Sequence, residues 1–202
     1  MQSIKTIQGR YLRFAAPPDP YQRGLLIVGE MTKGIQPLWP HPPGRAGDRL
    51  RSLLGLTITD YLRITRVNLI DGVDEWSDEI AIDGARAVWE KLCPSYSMTI
   101  LLGSRVHAAF CAVNKHFEGM QPLAVRVTNT LNPHTPPPAQ SFMLLPHPSG
   151  RCRKWNNPEF LQLARDTLAV IVDAHFFNTK NGEVTRRITF DGPLEIEGDG
   201  EE

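Results

Sequence analysis

Four short apolar runs punctuate the chain, each closed by glycine or a polar residue: GLLIVG (24–29), RVNLID (66–71), MTILLG (98–103) and SFMLLP (141–146). They are continuous rather than alternating. That is the pattern of strands buried on both faces of a parallel sheet. Between them the period changes to that of a helix. Residues 48–54 place leucines at 50, 53 and 54, and longer helical patterns cover 77–92, 105–113 and 157 to about 176. Ser77 and Asn157 sit where N-caps belong, and Pro158 occupies a first helical position. Strands alternating with helices predict right-handed βαβ units, hence an α/β fold with helices on both faces of a central four-stranded parallel sheet. LAVRVTNT (123–130) reads as an additional strand. RRITF (186–190) reads either as a terminal strand or as the start of a loose tail.

Two segments break the alternation. Residues 31–46 hold four prolines and form a loop directly after the first strand, and NPHTPPP (132–138) is a stiff extended connection. The 202 residues, 41% apolar and 22% charged, suit one domain with a sizeable core. We expect an N-terminal extension over 1–23, a main domain over 24–178 and a C-terminal extension over 179–202. No run reaches the length of a membrane span, and MQSIKTIQGR lacks the apolar stretch of a secretory signal. Three widely spaced cysteines (Cys93, Cys111, Cys152) without a CxxC argue against a disulfide framework and a zinc ribbon and fit a reducing cytoplasm. The net charge of zero conceals an asymmetry. The last twelve residues carry six acids and no base, which leaves +6 on the rest of the chain. Such a body permits a nucleic-acid partner without demanding one.

Ligands of open parallel sheets bind outside the carboxyl ends of the strands. The residues there are Gly29 and Glu30, Asn68 and Asp71, Gly103 and Ser104, and His147, Pro148 and Ser149. A carboxylate, an amide and an imidazole on one rim suit acid/base or electrostatic work on a planar polar ligand. GxGxxG, GxxxxGK[ST], GxSxG and HExxH are all absent, which removes the dinucleotide, P-loop, common hydrolase and zincin readings.

In their order and spacing, LLIVGE (25–30), PLWPHPPGRAGDRL (37–50), RVNLID (66–71), ILLGSRVHAAF (100–110) and LLPHPSGRCRKWN (144–156) resemble the uracil-DNA glycosylase superfamily across roughly residues 24–170. PHPSG followed by WN is the most specific piece. The resemblance implies a three-layer α/β/α sandwich with strand order 2-1-3-4. It also implies a monomeric, monofunctional DNA glycosylase without cofactor or metal, acting on a flipped-out pyrimidine. Cleaving an N-glycosidic bond leaves negative charge on the base and oxocarbenium-like charge on the sugar, so catalysis is mostly electrostatic.

The roles carried over are these. His147 donates to a carbonyl oxygen of the departing base. Glu30 stabilises the sugar cation or positions the attacking water. Asn68 reads the base edge, and its amide serves uracil or, turned over, cytosine. Leu38 or Trp39 supplies the face against which the base stacks. Arg45, Ser149, Arg151, Arg153 and Lys154 face phosphates, with Arg151 or Cys152 at the wedge position. Trp155 and Asn156 fix the loop onto the last helix.

The chain also departs from the family. Its first motif reads GEMTKG, and Lys33 stands where uracil-specific members carry a tyrosine that blocks groups at C5. A 5-substituted pyrimidine becomes a candidate substrate, and with it excision of modified bases from foreign, for example phage, DNA. Four cysteines for an iron–sulfur cluster are not present. The rival readings are a DNA- or nucleotide-binding protein that retains the fold without catalysis, and an enzyme acting on free nucleosides.

Overall fold

The chain enters through a hairpin. β1 (Gln2–Lys5) pairs antiparallel with β2 (Tyr11–Ala15), and β2 in turn pairs antiparallel with a central strand. Leu12 and Phe14 are buried while Tyr11 and Arg13 point outward, the alternation of a half-buried strand. Residues 1–15, within the expected N-terminal extension, thus add two strands to the sheet. The computed structural model describes residues 1–15, 24–32, 36–128, 140–149 and 152–177. The expected strand or tail at 186–190 and the proline connection at 132–138 lie outside the described residues.

After the hairpin come β3 (Leu25–Met31), α1 (Ala46–Leu53), the short α2 (Ile58–Leu62), β4 (Thr65–Ile70), α3 (Asp78–Lys91) and β5 (Met98–Leu102). The chain continues with α4 (Ser104–Val113), β6 (Val125–Thr128), β7 (Gln140–Leu145) and α5 (Pro158–Val172). The sheet has seven strands in the order β1-β2-β4-β3-β5-β7-β6. It is therefore mixed, not the four-stranded parallel sheet expected from the apolar runs. The four runs themselves, β4, β3, β5 and β7, pair in parallel at its centre, and antiparallel strands flank them on both sides. β6 falls within the 123–130 segment that the sequence marks as a strand, whereas the hairpin strands carry no continuous apolar run to reveal them.

Alternate residues of each central strand feed opposite cores. Leu26, Val28, Val67 and Leu69 pack beneath α3 and α4 with Phe110, Phe117 and Phe142. Leu25, Ile27, Ile100 and Leu102 pack beneath α1, α2 and α5 with Leu50, Tyr61 and Leu168. Ser77 caps α3 by accepting from the Ile80 amide (3.4 Å), and Asn157 caps α5 by accepting from the Phe160 amide (3.0 Å). β3 is followed by β4 on one side, and the next crossover delivers β5 to the other. That reversal falls at the carboxyl ends of β3 and β5, where open α/β sheets have their ligand-binding crevice.

The loop after β3 is held from below by a buried cation. Arg66, 1% exposed on β4, donates to the carbonyls of Tyr61 (2.5 Å), Ile64 (2.9 Å) and Pro37 (3.4 Å). Its guanidinium lies 4.8 Å from the centroid of the Tyr61 ring, and the Tyr61 hydroxyl donates to the Leu38 carbonyl (3.0 Å). Carbonyl dipoles and a ring face replace the water that a buried cation loses. The outcome is a fixed path for residues 37–39, including Leu38 in a left-handed conformation (φ 49°). Strain of that kind costs on the order of 1–3 kcal/mol and persists only where surrounding contacts enforce it.

Candidate active site

The crevice is lined from three strands. Glu30 is the penultimate residue of β3, Asn68 lies within β4, and His147 follows β7 by two residues. Two glycines let these side chains meet. A Cβ on Gly29 would stand 2.2 Å from Asn68 Oδ1 and 3.3 Å from both methyls of Leu38. Only a bare backbone allows the Asn68 amide to lie across β3 under the Leu38 side chain. Gly103, at the end of β5, adopts φ 92°, a region closed to most side chains. A Cβ there would lie 3.0 Å from Glu30 Oε1 and 3.1 Å from His147 Cβ. Glu30 and His147 thus both lie within about 3 Å of the position a Gly103 side chain would take.

Asn68 is 3% exposed. Its Nδ2 donates to Thr32 Oγ1 (3.1 Å), while its Oδ1 has no hydrogen-bond partner among the described residues. Such an orphaned buried acceptor costs about 1–3 kcal/mol unless a ligand donor reaches it. Neither the Glu30 carboxylate nor the His147 ring is engaged in a hydrogen bond among the described residues. Trp155 anchors the histidine through the main chain: its indole N–H donates to the His147 carbonyl (3.0 Å). The Trp155 ring stacks edgewise on Phe160 of α5, with centroids 5.4 Å apart. This is the fixing of the loop onto the last helix that the sequence suggested.

Burial lowers the His147 pKa from its ordinary 6.5, and the charge of Glu30 pulls it partly back up. The imidazole is consequently neutral at pH 7, a hydrogen-bond donor rather than a proton store. Below about pH 6.5 an unfolded chain takes up a proton that the buried ring resists, so this contribution to stability falls as pH is lowered. In an NMR titration of the ring protons, His147 should titrate below 6.5. Glu30→Gln should move it lower still, because the carboxylate that favours the imidazolium is gone. A midpoint unmoved by that substitution would show that the two groups do not sense each other.

The other residues singled out from the sequence are distributed as follows. Leu38 sits over Gly29 and so walls the crevice beside Asn68. Trp39 does not: it packs near His41, with ring centroids 6.0 Å apart, and lines a separate hollow with Gln36, Leu62 and Arg66. Of the two stacking candidates, the structure puts Leu38 at the site. Arg45 is exposed at the N-cap position of α1. Ser149 is half-buried just beyond His147, and Arg153 and Lys154 are exposed on a 3-10 turn over 153–156. Lys33 and Arg151 lie outside the described residues. Asp71 is spent elsewhere. Burial pushes its pKa up, but the doubly bonded Arg13 (2.5 and 2.7 Å) and its charge prevail and hold the carboxyl below its ordinary value.

Sequence reasoning missed Thr32, whose hydroxyl orients Asn68, and Tyr61 and Arg66, which hold the loop under Leu38. A lone strand arginine within RVNLID was the one available signal. Cys93, Cys111 and Cys152 are free thiols, and burial pushes Cys93 up to about 12. No group of three or more histidine, cysteine or acidic side chains is gathered for a metal among the described residues. None of the helices among the described residues is long and apolar enough to cross a membrane. No protein-family model matches the chain, and no curated protein matches it.

Proposed function

We propose that this protein is a DNA glycosylase that hydrolyses the N-glycosidic bond of a flipped-out pyrimidine. One observation carries the reading: Glu30 and His147 both approach Gly103, and one strand away stands a buried amide whose Oδ1 lacks a donor among the described residues. The resemblance of the ordered motifs to the uracil-DNA glycosylase superfamily supports it independently. On the same reading, β4, β3, β5 and β7 form that family's parallel core.

The chemistry follows from the placement. A pyrimidine inserted under Leu38 brings an N–H to Asn68 Oδ1, either the ring N3–H of uracil or the exocyclic amine of cytosine. The C1′–N1 bond breaks and its electron pair stays on the base. The neutral His147 donates to the base oxygen where that charge accumulates. The Glu30 carboxylate faces the cation developing on the sugar and orients a water. The water oxygen bonds to C1′, its proton leaves through the carboxylate or solvent, and the base is reprotonated from water. Residues 153–154 and Arg45 meet the backbone phosphates. With a lysine rather than a tyrosine at position 33, the substrate range extends to 5-substituted pyrimidines.

The test is direct. The protein is incubated with DNAs containing uracil, 5-hydroxymethyl or more heavily modified pyrimidines. Released bases are identified by mass spectrometry, and strands are probed for abasic sites. A free pyrimidine together with alkali-labile strands is the expected result. Tight binding of DNA with neither product would mean a binding protein on this fold. Release from nucleosides alone would mean a nucleoside hydrolase.

A further inference from the structure

Beside the crevice, between α1 and α5, lies a second cavity of about 230 Å3. Its wall begins at Pro148 and Ser149, immediately after His147, so it opens where the proposed base site ends. Leu53 and Leu161 give it apolar sides, and Trp155, whose N–H holds the His147 carbonyl, supplies an aromatic one. Arg49 from α1 and Arg165 from α5 stand at its rim, both exposed. Neither guanidinium has an ion pair or hydrogen bond among the described residues. The one acid in the lining, Asp48, is already committed: its carboxylate accepts from the Gly44 amide (2.9 Å) and from Arg51 (3.0 Å). The cavity therefore combines apolar walls with two cations from different helices that have no acidic partner among the described residues.

That combination fits an amphiphilic anion with a compact apolar body. The volume lies below the range of about 300–1,000 Å3 typical of whole-ligand pockets and suits a single sugar–base unit. We propose that it holds the nucleotide adjacent to the excised one. The sugar and base of that nucleotide rest against Leu53, Leu161 and Trp155, and its phosphodiester lies on Arg49 and Arg165. The proposal rests on the glycosylase reading and adds to it a second recognised nucleotide, outside the stack like the first. It predicts that the protein acts best on unpaired or locally opened strands, because a paired neighbour cannot enter the cavity without a second unstacking.

Short single-stranded oligonucleotides carrying the target test this without a variant. Each phosphodiester in turn is replaced by neutral methylphosphonate, and binding is followed by fluorescence anisotropy. One linkage next to the target should weaken binding about tenfold, the size of a lost charge-assisted hydrogen bond. An abasic spacer at the neighbouring position should weaken it as well. In the doubly substituted Arg49→Met/Arg165→Met protein, that linkage should become indistinguishable from the others, and duplex and single strand should bind more nearly alike. Equal sensitivity at all linkages, or the same single sensitive linkage in the variant, overturns the second site. Base release is measured in parallel. Release without linkage discrimination leaves the glycosylase and removes the cavity's role, whereas discrimination without release leaves a nucleotide site and removes the glycosylase.

Discussion

His147→Ala is expected to slow base release by about 10²–10³-fold while leaving DNA affinity within a few-fold of the unmodified protein, the usual cost of one preorganised transition-state donor. Glu30→Gln is expected to act in the same range by a different route. It keeps the shape of the side chain and one acceptor oxygen, and removes the charge opposite the sugar cation. Both effects should fall on kcat rather than KM, because the charges being stabilised do not exist in the bound ground state. The double variant should lose less than the product of the single losses, because the two groups approach one glycine and the Glu30 charge acts on the His147 ring. The measurement is single-turnover release from a labelled oligonucleotide with binding followed separately. Unchanged single-turnover rates in both variants would remove the crevice from consideration as the reactive site.

A single methyl should be nearly as damaging. In Gly29→Ala the new Cβ would stand 2.2 Å from Asn68 Oδ1, far inside contact distance. The Asn68 amide is almost wholly buried and tied to Thr32, so it has little room to retreat. Leu38, whose methyls would lie 3.3 Å from the same Cβ, is held in turn by Tyr61. We expect base release to fall at least about 100-fold and stability to drop by roughly 1–3 kcal/mol, the cost of overpacking a well-filled interior. The compensating change separates these effects. Asn68→Ala in the Gly29→Ala background removes the clash, so it should restore most of the melting temperature and none of the activity. If Gly29→Ala keeps full activity, the amide is not where the substrate is read.

The hairpin over residues 1–15 and the helix over 58–62 show where local reading stops. Strands at the margin of the sheet bury one face, so β1 and β2 carry only Leu12 and Phe14 fully into the core, with Ile4 packed part-buried against it, too few positions to stand out from a loop. α2 is a five-residue helix capped by Thr57, and its existence depends on Tyr61 filling the core beneath it. The central strands suffer neither weakness. Burial on both faces favours runs rich in Val, Ile and Leu, and that preference is written directly in the sequence even where β4 admits the buried Arg66 and Asn68.

What the sequence by itself determined is thus the part of the molecule where each residue's role is local. The four buried strands, the capped helices, and the placing of Glu30 and His147 at strand ends and of Asn68 within its strand all follow from apolar runs, cap residues and the alternation of strand and helix. Tertiary structure alone decided which of these groups meet. The crossover from β4 to β5 sets Glu30 and His147 about Gly103, and the bare backbone of Gly29 admits the Asn68 amide under Leu38. Trp39 is one residue from Leu38, yet it faces a different hollow. The buried Arg66 and the Tyr61 hydroxyl pin that loop through carbonyls, and backbone hydrogen bonds leave no trace in side-chain chemistry. Arg49 and Arg165 are more than a hundred positions apart, and only the packing of α1 against α5 brings them to one rim. Contacts between distant segments depend on backbone geometry summed over the whole chain, and no local pattern of residues encodes that sum.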